Sequence, residues 1–409
     1  MGTGSYDHAM PASRSSALPL SWLFLLGGLI AIGPLSTDMY LPAFPAMARD
    51  LGGGAMEYTL AAYFIGLALG QLFYGPLSDR FGRKRPFMAG LALYAIASLG
   101  CALADSAQSL VAWRFLQALG GCSSMVIVRA VVRDRCDVRE AARTFSLLIL
   151  VMGVTPLLAP LLGGWMDAHW GWRAIFQLML ACGLLGAMAV ALGLPETHDT
   201  RHEPPLRLGS ILADYAGLLA SPTFLGYTLV GGLGFAGMFA YIANSPLVLI
   251  QLHGVRPEDF GWYFGGIAMG YIAASQINAH LLKRAAPSRL LRLAVWLPGG
   301  AGSVLALGGV AGWLPFPLVL ACFFVYVASM GSIGPNSAAA AMATHGQMAG
   351  KASALMGAVQ FGLATLAGGL VGFAGGGGIL PLALIMALGG VGSWLALRWV
   401  EPHPHSRPP

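Results

Sequence analysis

Hydrophobic residues in this chain come in long unbroken blocks, with neither the strict alternation of half-buried strands nor the one-sided stripe of soluble helices. Charged clusters and Pro/Gly breaks divide the chain into twelve such blocks, centred near residues 33, 67, 95, 118, 154, 183, 235, 271, 300, 328, 362 and 388. Each holds the roughly 20 apolar residues needed to cross a bilayer as a helix. The pattern therefore predicts an all-α membrane protein with 12 transmembrane helices. Its longest hydrophilic stretch, from Pro195 to about Ser221, falls between six blocks and six. This predicts a tail over 1–18, a six-helix half over 19–194, a cytoplasmic linker over 195–221, a second half over 222–400 and a tail over 401–409.

An internal echo supports two related halves. Tyr63-Phe64-Ile65-Gly66-Leu67-Ala68-Leu69-Gly70 recurs as Tyr263-Phe264-Gly265-Gly266-Ile267-Ala268-Met269-Gly270, 200 residues later. Gly66 and Gly70 share a helix face, as do Gly266 and Gly270, and small residues four apart let membrane helices approach closely.

Composition agrees with the pattern. Of 409 residues, 56% are hydrophobic and 10% charged, with mean hydropathy +0.70, whereas soluble domains carry about 25% charged residues. The positive-inside rule orients the spans with both termini in the cytoplasm: 19 of the 23 basic residues then fall in cytoplasmic segments, Arg49, Arg173 and Arg256 fall outside, and Arg114 lies within a span. The net charge of +6 follows from that topology, and no nucleic-acid partner is implied. Five cysteines, none paired at metal-ligand spacing, suggest neither a disulfide framework nor a metal site. The first apolar run lacks a small-residue cleavage site and is expected to be a retained span.

Asp38 is the candidate around which the rest is organised. Apart from Tyr40, it is the sole ionisable side chain between Leu20 and Ala48. A carboxylate at mid-membrane costs about 2.5 to 3.5 kcal/mol, so one that is buried there usually faces a polar cavity and handles a proton or a substrate. The alternative is an acid simply solvated at the outer mouth. Arg114 is the one basic residue expected well inside a span. Counting 1.5 Å per residue from the predicted outer ends places both charges about 15 Å down, where they are either a structural ion pair or a coupling pair.

Two further strings stand out. After span 2 comes Gly75-Pro-Leu-Ser-Asp79-Arg80-Phe-Gly82-Arg83-Lys84-Arg85, one acid among four bases, with Gly82 suited to a sharp turn. Span 5 reads Gly153-Val-Thr-Pro156-Leu-Leu-Ala159-Pro160-Leu-Leu-Gly163-Gly164, in which two prolines remove helix hydrogen bonds and paired glycines permit close packing.

The first of these strings, at Gly75, Asp79, Arg80, Gly82 and Arg83, resembles the signature loop of the major facilitator superfamily. That resemblance implies a latch holding the two halves together in the outward-facing state. Arg114-Phe-Leu-Gln117-Ala-Leu-Gly120 resembles the superfamily's span-4 arginine motif, which implies proton coupling. Gly153, Pro156, Pro160, Gly163 and Gly164 resemble the antiporter signature of drug:proton exporters. With Thr37-Asp-Met-Tyr-Leu-Pro42 and Phe235-Ala-Gly-Met-Phe-Ala-Tyr241, the chain from about 20 to 400 most resembles the bicyclomycin/chloramphenicol-resistance (Bcr/CflA) exporters. Ile30 stands where some relatives carry a second acid, so Asp38 is expected to act alone.

The expectation is a monomeric, multi-pass transporter of the bacterial inner membrane that exports apolar or amphipathic drugs. The proton is its coupling ion, and no cofactor is called for. The alternative cargo is a metabolite such as a sugar, amino acid or siderophore. Aromatic, Met and amide side chains suited to a tolerant pocket are Tyr63, Gln117, Phe235, Met238, Phe239, Tyr241, Asn244, Asn336 and Gln360. An enzyme is not expected, because none of the nine histidines lies mid-span beside a carboxylate. The loops are too short for the output domain of a receptor.

Overall fold

A computed structural model describes residues 20–53, 56–136, 138–198, 208–343, 348–373 and 378–401. Helices dominate these residues, and there is no strand among them, as a low-dielectric surrounding requires: with no water to satisfy backbone groups, each segment must pair its own. Ten helical segments are long and apolar enough to span a membrane. Two more long helices, Val138–Trp170 and Pro257–Leu281, complete twelve. In chain order the spans are α1 (Leu20–Asp38), α2 (Glu57–Phe81), α3 (Lys84–Ala102), α4 (Ala107–Arg135), α5 (Val138–Trp170) and α6 (Arg173–Gly193). The second set is α7 (Pro222–Pro246), α8 (Pro257–Leu281), α9 (Trp296–Val310), α10 (Phe316–Met342), α11 (Ala349–Phe373) and α12 (Leu380–Val400). All twelve predicted centres lie inside them.

Packing repeats with a shift of six. In the first half α2 and α3 pack on α4, α6 on α3, and α1 on α4, α5 and α6; in the second half α8 and α9 pack on α10, α12 on α9, and α7 on α10, α11 and α12. The halves meet along two seams, α2 with α11 and α5 with α8, and the same shift exchanges one seam for the other. This is the signature of two parallel repeats related by an axis along the bundle. Leu103, Leu192 and Phe373 are 71%, 84% and 85% exposed; an outward apolar surface of this kind is one that lipid covers.

Local chemistry sets the breaks. Ser106 and Ser221 cap α4 and α7, accepting from the N–H of Ser109 and Phe224 at 3.3 and 3.4 Å. Gly82 ends α2 with φ +83°, a conformation that disfavours side chains. The first span is discontinuous: α1 stops at Asp38, and a 3₁₀ turn (Leu41–Ala43) leads to a short helix, Phe44–Asp50. Pro34, Pro42 and Pro45 flank that break.

Three expectations change. The linker is not wholly hydrophilic: a helix over Leu208–Ala220 buries Tyr215 and Leu218 against Phe224, Ala341, Ala352, Leu355 and Met356 of the second half. The two copies of the glycine pattern pack differently. A Cβ on Gly66 or Gly70 would collide with α4; in the second copy one on Gly270 would stand 2.8 Å from the Phe324 ring of α10, whereas Gly266 has nothing within 4 Å and the tightest backbone approach of α8 to α10 is at Gly331. Arg129, expected in a cytoplasmic loop, lies within α4 six residues before its end.

Candidate functional site

Arg114 is fully buried, clamped between the rings of Tyr40 and Tyr63 with its guanidinium carbon 4.3 and 4.2 Å from their centroids. One terminal nitrogen donates to Gln117 Oε1, and the other donates to the Ser36 carbonyl at 2.8 Å. Gln117 Nε2 in turn donates to Ser98 Oγ at 2.7 Å, and Ser36 Oγ meets Tyr94 Oη at 2.7 Å. The result is a polar spine joining α1, α3 and α4 inside the first half. Two aromatic faces supply a share of the stabilisation that a carboxylate would otherwise give; each desolvated cation–π contact contributes up to about 2 kcal/mol.

Asp38 turns the other way. It is 4% exposed and has no cationic side chain within 4.0 Å among the described residues. Its carboxylate borders a cavity of about 430 Å³ between the two halves. Asp38 and Arg114 are therefore not an ion pair: the arginine holds the backbone two residues before the acid. Tyr241, on the facing helix α7, lies close enough to feel the Asp38 charge, and its buried hydroxyl has no hydrogen-bond partner among the described residues. Asp38 and Tyr241 thus border one apolar chamber from opposite halves. Thr37, on the same wall, turns its hydroxyl onto the Pro34 carbonyl at 3.1 Å.

Of the side chains proposed for a pocket, Phe235, Met238, Phe239 and Tyr241 line this cavity. The others are placed elsewhere, for identifiable reasons. Tyr63 and Gln117 are engaged by Arg114 behind the wall. Asn244 donates to Ala240 O of its own helix at 2.9 Å, and Asn336 donates to Asn278 Oδ1 at 2.8 Å, tying α10 to α8. Gln360 lies beside Gly231 and Gly232 of α7. The remaining walls include Phe64, Phe264, Phe361, Met125, Met152, Tyr271, Ser275, Gln276 and Arg129. Phe64, Phe239 and Phe361 form a three-ring cluster across the seam, with centroids 4.6, 5.5 and 5.8 Å apart. Phe64 and Phe264 are equivalent members of the internal echo; Arg129 carried no comparable mark.

The α5 glycines make room at the seams. A Cβ on Gly163 would run into the Met39 carbonyl just after Asp38, and one on Gly164 would stand 2.8 Å from Pro257 O of the other half. Gly153 faces Ile272 of α8, and Gly153 and Pro156 also line the cavity. α5 continues as helix through Pro156 and Pro160.

In the α2–α3 loop, Arg83 Nε donates to Asp134 Oδ2 at 2.7 Å, and its terminal nitrogens donate to Asp79, Ser78 and Asp134. The Arg83 and Lys84 backbone N–H groups donate to Glu196 at 2.7 and 3.1 Å. Partial burial pushes the Glu196 carboxyl up, but backbone donors from Arg83, Lys84, His198 and Thr197 outweigh it and hold it below its usual value. Gly82 sits against that carboxylate so closely that a Cβ would strike it. These bonds tie α2, α3, α4 and the end of the first half together. Gly75 has open space around it. Beyond the loop a second cavity of about 400 Å³ opens between the halves, bordered by Gly75, Asp79, Arg80 and Arg83.

Two six-helix repeats, a central cavity at their seam and a charged loop after the second span define a secondary transporter of the alternating-access type. The chain belongs to the Major Facilitator Superfamily, whose profile matches residues 26–369. It is 36% identical to the MFS-type transporter YdgK of Bacillus subtilis over 358 residues, covering 86% of this chain and 89% of the relative. A bicyclomycin resistance protein homolog of Haemophilus influenzae is 32% identical over 352 residues, covering 86% and 88%. The fold superposes on a crystal structure of a D-xylose-proton symporter with TM-score 0.68 at 16% identity, covering 93% and 97%.

Proposed function

We propose that this protein is a proton-coupled exporter of small apolar or amphipathic drugs, working by alternating access in the bacterial inner membrane, and that it carries out no covalent chemistry. The observation that carries the reading is Asp38: a buried acid at a helix break, bordering an aromatic- and methionine-rich chamber at the seam. The similarity to a bicyclomycin resistance protein homolog supports drugs as the cargo.

In this mechanism drug enters from the loop side and meets deprotonated Asp38; a proton from the far side then displaces it. The coupling is the difference in drug affinity between the two protonation states. Each proton moving inward supplies about 2.3 kcal/mol per 100 mV. Arg114 fixes the α1 backbone beside Asp38, so that the carboxylate keeps its place as the halves rock. Basic residues at the loop side support a cytoplasmic loop face, with both termini on that side.

The test is proton release on adding bicyclomycin or a similar drug to purified protein in weak buffer. Wild type is expected to release protons, and Asp38→Asn to insert normally yet release none. Wild-type release from Asp38→Asn would sink the assignment.

A further inference from the structure

Arg129 is the feature that the proposed mechanism leaves unused. It borders both cavities, the apolar chamber that holds Asp38 and the polar one at the loop face. Arg133 follows four residues later on the same face of α4 and borders the second cavity. The two guanidiniums are near enough to interact unfavourably. Neither has a carboxylate within 4.0 Å among the described residues. Their neighbours differ in this respect, since Arg83 is paired with Asp134 and Asp79, and Lys351 with Asp214. Among the described residues Asp79 is the lone acid on the wall of the loop-face cavity, and Arg83 occupies it.

Arg129 and Arg133 are both exposed to the cleft between the halves, two adjacent cations without counter-charges whose mutual repulsion an anion would relieve. A second contribution adds to theirs. A Cβ on Gly350, in the first turn of α11, would stand 3.8 Å from the Arg133 guanidinium. The positive end of that 25-residue helix therefore augments the same spot.

We propose that Arg129, assisted by Arg133, is the recognition point for an anionic group on the cargo, so that the transporter selects amphiphiles carrying a carboxylate, sulfonate or phosphate at one end. This specificity rests on the export reading above and deepens it. The chamber that Arg129 borders has Phe64, Phe239, Phe361 and Asp38 on its walls. Arg114, which grips α1 beside Asp38, and Arg129 are 15 residues apart on one helix, about 22 Å along its axis. An amphiphile in the chamber would set its charged end on Arg129 and its apolar body among the rings. A lipid headgroup would satisfy the guanidiniums but has no use for the aromatic chamber beyond them, which favours cargo as the ligand. Cations, by contrast, meet repulsion on the way to Asp38.

The experiment is equilibrium binding of a naphthyl-alkanoic acid and of its methyl ester to the whole purified protein in phosphatidylcholine nanodiscs at pH 7.5. The two probes differ in charge and hardly in shape. Wild type is expected to bind the acid about tenfold more tightly, the size of one charge-assisted hydrogen bond. Arg129→Gln should erase the difference while leaving ester affinity within about twofold, which also shows that the variant is folded; Arg129→Lys should keep part of it, because the charge remains but the fork does not. Equal binding of acid and ester by wild type, or a preference that persists in Arg129→Gln, overturns the proposal. So does a preference that vanishes when phosphatidylglycerol is included, which would hand the site to a lipid headgroup. Asp38→Asn is run alongside: the acid preference should survive there, so a failure of proton coupling and a failure of anion recognition read differently.

Discussion

At Arg114 the side chain's shape matters as much as its charge. A planar guanidinium lies between Tyr40 and Tyr63 while donating to Gln117 and Ser36; a lysine ammonium cannot fill a slot between two rings and reach both acceptors. Arg114→Lys is expected to cost about 2 kcal/mol of stability, read as a lower melting temperature in detergent, and to reduce transport with it, since the α1 backbone beside Asp38 loses its anchor. Unchanged melting would mean that the clamp contributes little. The residue scale was only partly legible in the sequence. Isolated charges in apolar runs marked Asp38 and Arg114, and depth counting placed them level. Which way each side chain turns depends on neighbours from α2, α6 and α7, and no local pattern encodes that. Arg129 escaped for a related reason: it stands in a run of arginines that looks like ordinary positive-inside charge until α4 is seen to continue past it.

Among the helices, α5 is where small residues decide the packing. A Cβ at Gly163 would overlap the Met39 carbonyl, whereas Gly368 in α11 has nothing within 4 Å. The same substitution should therefore act with opposite sign at the two sites. Gly163→Ala is expected to destabilise by about 1–3 kcal/mol through overpacking. Gly368→Ala is expected to be neutral or stabilising by up to about 1 kcal/mol, because it lowers the entropy of the unfolded chain. Thermal unfolding of both variants in detergent decides it, and equal losses would contradict the packing account. The sequence pointed to Gly163 and Gly164 as packing residues, and the collision distances bear on both. It also paired Gly66/Gly70 with Gly266/Gly270; Gly270 keeps a close approach, to Phe324 of α10, while Gly266 has lost its own and Gly331 takes the backbone contact, because repeats that diverge need to preserve the fold and not the particular contact.

For the molecule as a whole, the open cleft at the loop face and the seams α2–α11 and α5–α8 have to exchange roles as the halves rock. Tyr215 Oη of the linker helix already crosses from the second half to Leu72 O of the first at 3.2 Å, a bond that such rocking would stretch. Ser353 borders the loop-face cavity. Ser353→Cys, corrected for the native cysteines, should react readily with an impermeant maleimide applied from the loop side, and several-fold more slowly once cargo closes the cleft. Labelling that ignores saturating cargo would argue against rocking about this cleft.

The sequence by itself determined the twelve spans, their division into two sixes and the chain positions of an unusual acid and base, because lipid forces long apolar helices and penalises charge one residue at a time. Tertiary structure alone decided that Asp38 opens onto the seam while Arg114 is walled in by tyrosines, that five of the nine expected pocket residues lie away from the cavity, and that Arg129 borders two cavities. Those outcomes depend on how helices far apart in the chain are rotated against one another, a choice made by side-chain packing that one-dimensional spacing does not record.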